Sequence, residues 1–125
     1  MLSDIISIVS GAAGFGTMYG IGGFINSKIA SFSNGTVTAK TSYAVPAAVI
    51  AGVGYAGLSY GLFRIALKAR RYLSEFLMGA SAESIFDALW NFAAAPTMGK
   101  TFQPGTAGYY VMKFLADISG TNVFS

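Results

Sequence analysis

The chain has 125 residues, 54% of them apolar and only 10% charged, against about a quarter charged in soluble globular proteins. It has no cysteine and no histidine, so disulfides, the usual zinc, haem and iron–sulfur ligand sets, and a histidine base or cysteine nucleophile are excluded. The net charge of +3 is no nucleic-acid footprint, because half of the cations (Arg64, Lys68, Arg70, Arg71) sit in one short stretch.

Two uncharged runs, Ile5 to Ser27 and Thr41 to Phe63, dominate the first half. Each is about 23 residues, enough to cross a hydrocarbon core of about 30 Å at 1.5 Å per residue. The start Met-Leu-Ser-Asp lacks a positive n-region and the first run is too long for a signal peptide. It reads as a retained span, with Ser3 or Asp4 opening its helix. Along it, Ala12, Gly16 and Gly20 recur every four residues and predict a flat helix-packing face. Between the runs, Lys28 to Lys40 is polar, and Asn34-Gly35 predicts a tight turn.

The second run repeats the device with Ala44, Ala48, Gly52 and Ala56, and Pro46 falls in its first turn, where a missing N–H costs little. No glycine or proline stops this helix at Phe63. Arg64, Lys68, Arg71 and Glu75 continue at helical spacing, predicting a protruding extension to about Met78 with Gly79 as its cap. Arg64, Lys68, Arg70 and Arg71 mark topology and offer contact to lipid headgroups. They outnumber the two lysines of the connection, predicting both termini on the positive-inside face.

Beyond Gly79 the reading is of short amphipathic helices. One starts at Ser81 or Ser84 and ends near Ala95, with Glu83, Asp87 and Asn91 as a solvated stripe and Trp90 as an interface anchor. Another covers about Ala107 to Ile118, with Lys113 and Asp117 outward. Ala94-Ala-Pro-Thr-Met-Gly99-Lys100-Thr101 matches a relaxed phosphate-loop pattern, but no strand precedes it, and Pro104-Gly105 breaks any helix behind it.

The stretch Phe15-Gly-Thr-Met-Tyr-Gly-Ile-Gly-Gly-Phe-Ile-Asn-Ser-Lys28 resembles the glycine-rich first helix of the Tim17 family. That family includes translocase channel subunits and a small accessory subunit of respiratory complex I. The resemblance implies four membrane helices, more than the two spans read here, and no residue's role is taken from it. The two-span glycine- and alanine-rich hairpin is also similar to conjugative pilins and to coat proteins of membrane-associated viruses.

The expectation is therefore an all-α membrane protein: a two-span transmembrane helical hairpin with its extension (1–79), and a peripheral region (80–125) docking on membrane or partner. No carboxylate, lysine or arginine falls in either span, which argues against proton or substrate transport. The expected role is non-catalytic: a structural, accessory subunit of a larger membrane complex, an energy-transducing one among the candidates. The alternatives are a self-assembling pilin or virion coat protein, then a holin-like pore former. Expected partners are lipids, bound lipid included, and other membrane subunits.

Overall fold

A computed structural model describes all 125 residues. It is mostly helical, with one small sheet. Helix α1 (Leu2–Ser27) leads into a hairpin of β1 (Ala30–Ser33) and β2 (Thr36–Ala39), followed by α2 (Ala44–Ala66), α3 (Arg71–Ala94) and α4 (Ala107–Ile118). Short 3-10 turns cover Ala95–Thr97 and Thr121–Val123.

The two apolar runs form α1 and α2, both long and apolar enough to cross a membrane. They do not pack on each other along their length. Instead α3 lies between them, with α1 and α2 each packed along it. Arg71 at the start of α3 bonds Ser7 near the start of α1, and Asn91 near its end bonds Asn26, so α1 and α3 run parallel. Ser74 bonds the Ala66 carbonyl and Ser59 pairs with Ser81, so α2 and α3 are antiparallel.

The predicted extension of α2 is thus corrected. The helix ends at Ala66, Arg70 is extended (φ −66°, ψ 159°), and α3 doubles back. Ser74 Oγ donates to the Ala66 carbonyl at 2.7 Å, which also accepts from the Ala69 N–H at 3.3 Å, so this helix-end acceptor is well paired. No glycine or proline marks this turn; four cations crowd it instead. The expected boundary at residue 79/80 falls inside α3, and the expected helix start at Ser81 or Ser84 lies in its middle. Gly79 caps nothing. It sits where α3 crosses α1, and a Cβ there would collide with the Gly11 carbonyl and the Phe15 nitrogen.

The connection between the apolar helices is more ordered than a bare turn. Ser33 pairs with Thr36 and Phe32 with Val37, closing a two-residue loop in which Asn34 (φ 54°) and Gly35 (φ 80°) are both left-handed. Such a loop matches strand twist and favours Asn-Gly. Gly35 has a second constraint, since any Cβ would press on the Phe102 carbonyl. Val37 also exchanges backbone bonds with Lys100 and Gly99, tying the 99–102 segment to β2.

This hairpin, the end of α3 and α4 enclose an apolar core of Ala30, Phe32, Val37, Trp90, Met112 and Leu115, among others. Trp90 is therefore a core residue at 1% exposure, not an interface anchor. Its side chain is the largest fully buried one, and Trp90→Ala is expected to lower stability by about 3–5 kcal/mol, measured as a drop in the denaturation midpoint of purified protein. Helix α4 has the predicted bounds, with Thr106 as its N-cap and Lys113 paired to Asp117 on its outer side at 2.8 Å. Tyr110 and Phe114 are exposed; Met112, Leu115 and Ala116 take the buried side.

The last residues return to α1. Gly120 seats on Tyr19 and Gly23, and Phe124 meets Phe24 edge to face at 6.0 Å. The N-terminus lies instead at the α2–α3 turn, where Arg71 holds Asp4. The two termini therefore lie near opposite ends of α1.

Candidate functional site

The unusual feature of this bundle is that its polar residues are inside. Helix α3 carries Ser81, Glu83, Ser84, Asp87 and Asn91, all buried. Glu83 and Asp87 are both 0% exposed. The stripe expected to face solvent is the face wedged between α1 and α2, and this corrects the sequence reading of Glu83, Asp87 and Asn91. Acidic groups do lie between the apolar helices, although neither of those helices supplies one.

The neighbours that hold this stripe come from both sides. From α1, Asn26 Nδ2 donates to Asp87 Oδ1 at 2.9 Å. Asn91 Nδ2 donates to Asn26 Oδ1 at 2.9 Å and to the Asp87 carbonyl at 2.8 Å. Gly22 of α1 faces the Asp87 carboxyl directly, and a Cβ at residue 22 would occupy its place. From α2, the Tyr55 hydroxyl donates to the Gly22 carbonyl at 3.4 Å, bridging the two outer helices over the cluster. Closer to the basic turn, Ser59 Oγ donates to the Ser81 carbonyl at 2.8 Å and Ser81 Oγ to the Ser59 carbonyl at 2.7 Å. These reciprocal bonds pin α2 to α3.

Despite this network, both oxygens of Glu83, Oδ2 of Asp87 and Oδ1 of Asn91 have no hydrogen-bond partner. No group of three His, Cys, Asp or Glu side chains converges here or elsewhere in the chain. All three ion pairs, Met1–Asp4, Arg71–Asp4 and Lys113–Asp117, lie at the surface, so none neutralises the cluster.

The predicted packing ladders are placed unequally. Ala44, Ala48 and Gly52 are buried, the last under the Phe92 ring, whereas Ala56 is exposed. A strict four-residue repeat drifts around a helix of 3.6 residues per turn, so the buried row passes to Tyr55 and Ser59. On α1 the row against α3 is Ser7, Gly11, Gly14, Gly22 and Asn26. Ala12 and Gly16 are exposed, Gly20 is half-buried, and a Cβ at residue 16 or 20 would meet nothing within 4 Å. Within this chain, then, Ala12, Gly16 and Gly20 are not where another helix approaches.

Arg64, Lys68 and Arg70 are largely free at the turn, Arg64 resting on the Tyr60 hydroxyl at 2.7 Å, and Arg71 is tied to Ser7 and Asp4. The Lys100 segment instead pairs with β2, its carbonyl accepting from the Val37 N–H. The phosphate-loop-like stretch follows a helix and runs into extended pairing of Thr101 with Thr36, the wrong order of elements for cradling phosphate.

The sequence signal for the buried cluster was present but ambiguous. Glu83, Asp87 and Asn91 at four-residue spacing describe a polar face without saying whether water or protein covers it. Compared with protein-family models, curated proteins and solved structures, the chain matches none.

Proposed function

We propose that this chain is a non-catalytic structural subunit of a larger membrane assembly. The observation that carries the reading is the inverted placement of polarity. The outer faces of α1 and α2 expose Ile8 (72%), Val9, Ile21, Ile50 (71%), Val53 and Leu58, while serines, asparagines and two carboxyls fill the inside. In water such a continuous apolar surface is unfavourable; against lipid tails or apolar partner helices it is the expected exterior.

Two further features support lateral assembly. The exposed small residues Ala12, Gly16 and Gly20 leave α1 open to close approach from outside the chain. An open apolar groove of about 400 Å³ between α2 and α3, lined by Ala56, Phe63, Ile85, Leu89 and Phe92 among others, suits an acyl chain of a bound lipid. The cations of the α2–α3 turn supply headgroup contacts below it, each worth about 1 kcal/mol near an anionic surface. A holin-like pore needs a polar outer face, and α1 and α2 present apolar ones.

The test is gentle extraction from the native membrane, followed by mass and composition of the particle that carries the chain. Different polypeptides at fixed stoichiometry are expected. A particle or filament made of this chain alone would overturn the accessory-subunit reading in favour of a self-assembling pilin or coat protein.

A further inference from the structure

Glu83 and Asp87 stand one turn apart on the buried face of α3, both fully enclosed. Nothing around them carries positive charge. Helix α1 presents Gly22 and Asn26, α2 presents Tyr55, and α3 itself adds Ser84 and Asn91. Two ionised carboxylates here would repel each other, and each would lose its hydration. A single proton between them removes one charge and supplies a donor to oxygens that otherwise have none.

The hydrogen bonds say which group keeps the proton. Asp87 Oδ1 accepts from the Asn26 amide, which favours its anionic form. Both Glu83 oxygens lack any donor, so Glu83 is the acid. The site is also built from the α1 side, because the missing side chain at Gly22 makes the room that the Asp87 carboxyl occupies. Asn91, 1% exposed and with Oδ1 unpartnered, closes the ring from Asn26 back to the Asp87 backbone.

We propose that Glu83 and Asp87 form a proton-binding site at the centre of the bundle, with one exchangeable proton on Glu83 donated to Asp87. Asn26 and Asn91 are positioning residues that hold Asp87 as the acceptor. This site goes beyond a scaffold role and depends only on burial by α1 and α2, so it stands or falls separately from the subunit reading.

The test is infrared spectroscopy of the purified full-length chain, comparing H2O with D2O. The expected result at neutral pH is a protonated-carboxyl carbonyl band that shifts on deuteration. It should also shift when the glutamates carry a 13C carboxyl, a readout that needs no variant. Glu83→Gln should abolish the band completely, and Glu75→Gln and Asp117→Asn should leave it. No such band in the wild-type chain, or one insensitive to labelled glutamate, would overturn the proposal. Loss of the band on adding sodium or lithium chloride at constant pH would also overturn it, assigning the oxygens to a metal cation instead.

Discussion

Gly14→Ala or Gly79→Ala is expected to prevent α1 from seating against α3. At both positions the added Cβ would meet backbone: the Phe76 carbonyl group and Cα for residue 14, the Gly11 carbonyl and Phe15 nitrogen for residue 79. Backbone cannot rotate aside as a flexible side chain can, so the helices must separate. The loss should reach or exceed about 3 kcal/mol, the upper end for overpacking a core. Separation also breaks contacts further along, including the Asn26–Asp87 bond. The internal control is Gly16→Ala. Its Cβ points into open space, and alanine favours helix by about 1 kcal/mol over glycine, so the isolated chain should be unharmed. Denaturation midpoints of purified protein decide the matter. Equal behaviour of the variants at 14 and 16 would mean that α1 does not lie on α3 as described. In the native assembly Gly16→Ala carries a second message: loss of the complex with the chain still folded would place a partner helix on that face.

Asp87→Ala is the second substitution with a large expected effect. It leaves the Asn26 amide without its acceptor, strands Glu83 without its neighbour, and opens space beside Gly22. A buried polar group left unpaired costs about 1–3 kcal/mol, and more than one group is affected, so a total of about 2–4 kcal/mol is expected. Asp87→Asn keeps the shape and an acceptor oxygen for Asn26, and should cost about 1 kcal/mol or less. The ratio between the two variants matters more than either value. A mere filler at residue 87 would make both substitutions mild, and an indispensable negative charge would make both severe.

How far this architecture was legible in the sequence follows from which signals are local. The apolar helices announce themselves by length and lack of charge, and α4 by a Lys113–Asp117 pair one turn apart. Asn34-Gly35 marked the turn, and the alternation in Ser31-Phe32-Ser33 and Thr36-Val37-Thr38 was the available hint of strands, masked by the lysines flanking a short segment. The α2–α3 reversal was not legible. Leu67 to Arg70 contains no breaker, so the local pattern propagates a helix that tertiary packing ends. The buried site was hidden for a related reason. A polar face on an amphipathic helix ordinarily turns to water, but that rule assumes neighbours with apolar inner faces. Here α1 and α2 offer glycine, serine and asparagine inward and large aliphatics outward, which reverses the sense of the pattern.

The position of α3 between α1 and α2 constrains how the chain is made. With Arg71, Glu75, Glu83 and Asp87 along its length, α3 is not among the helices apolar enough to cross a membrane unaided. A helix carrying charged groups enters lipid at a cost of about 2.5–3.5 kcal/mol for each one placed centrally. Were α1 and α2 to span a bilayer, α3 would enter most favourably between them, where their serines, asparagines and glycines replace water. Synthesis delivers the elements in that order, α1 and α2 emerging before α3. A nascent chain stopped before α3 would leave two apolar helices with little to hold them to each other.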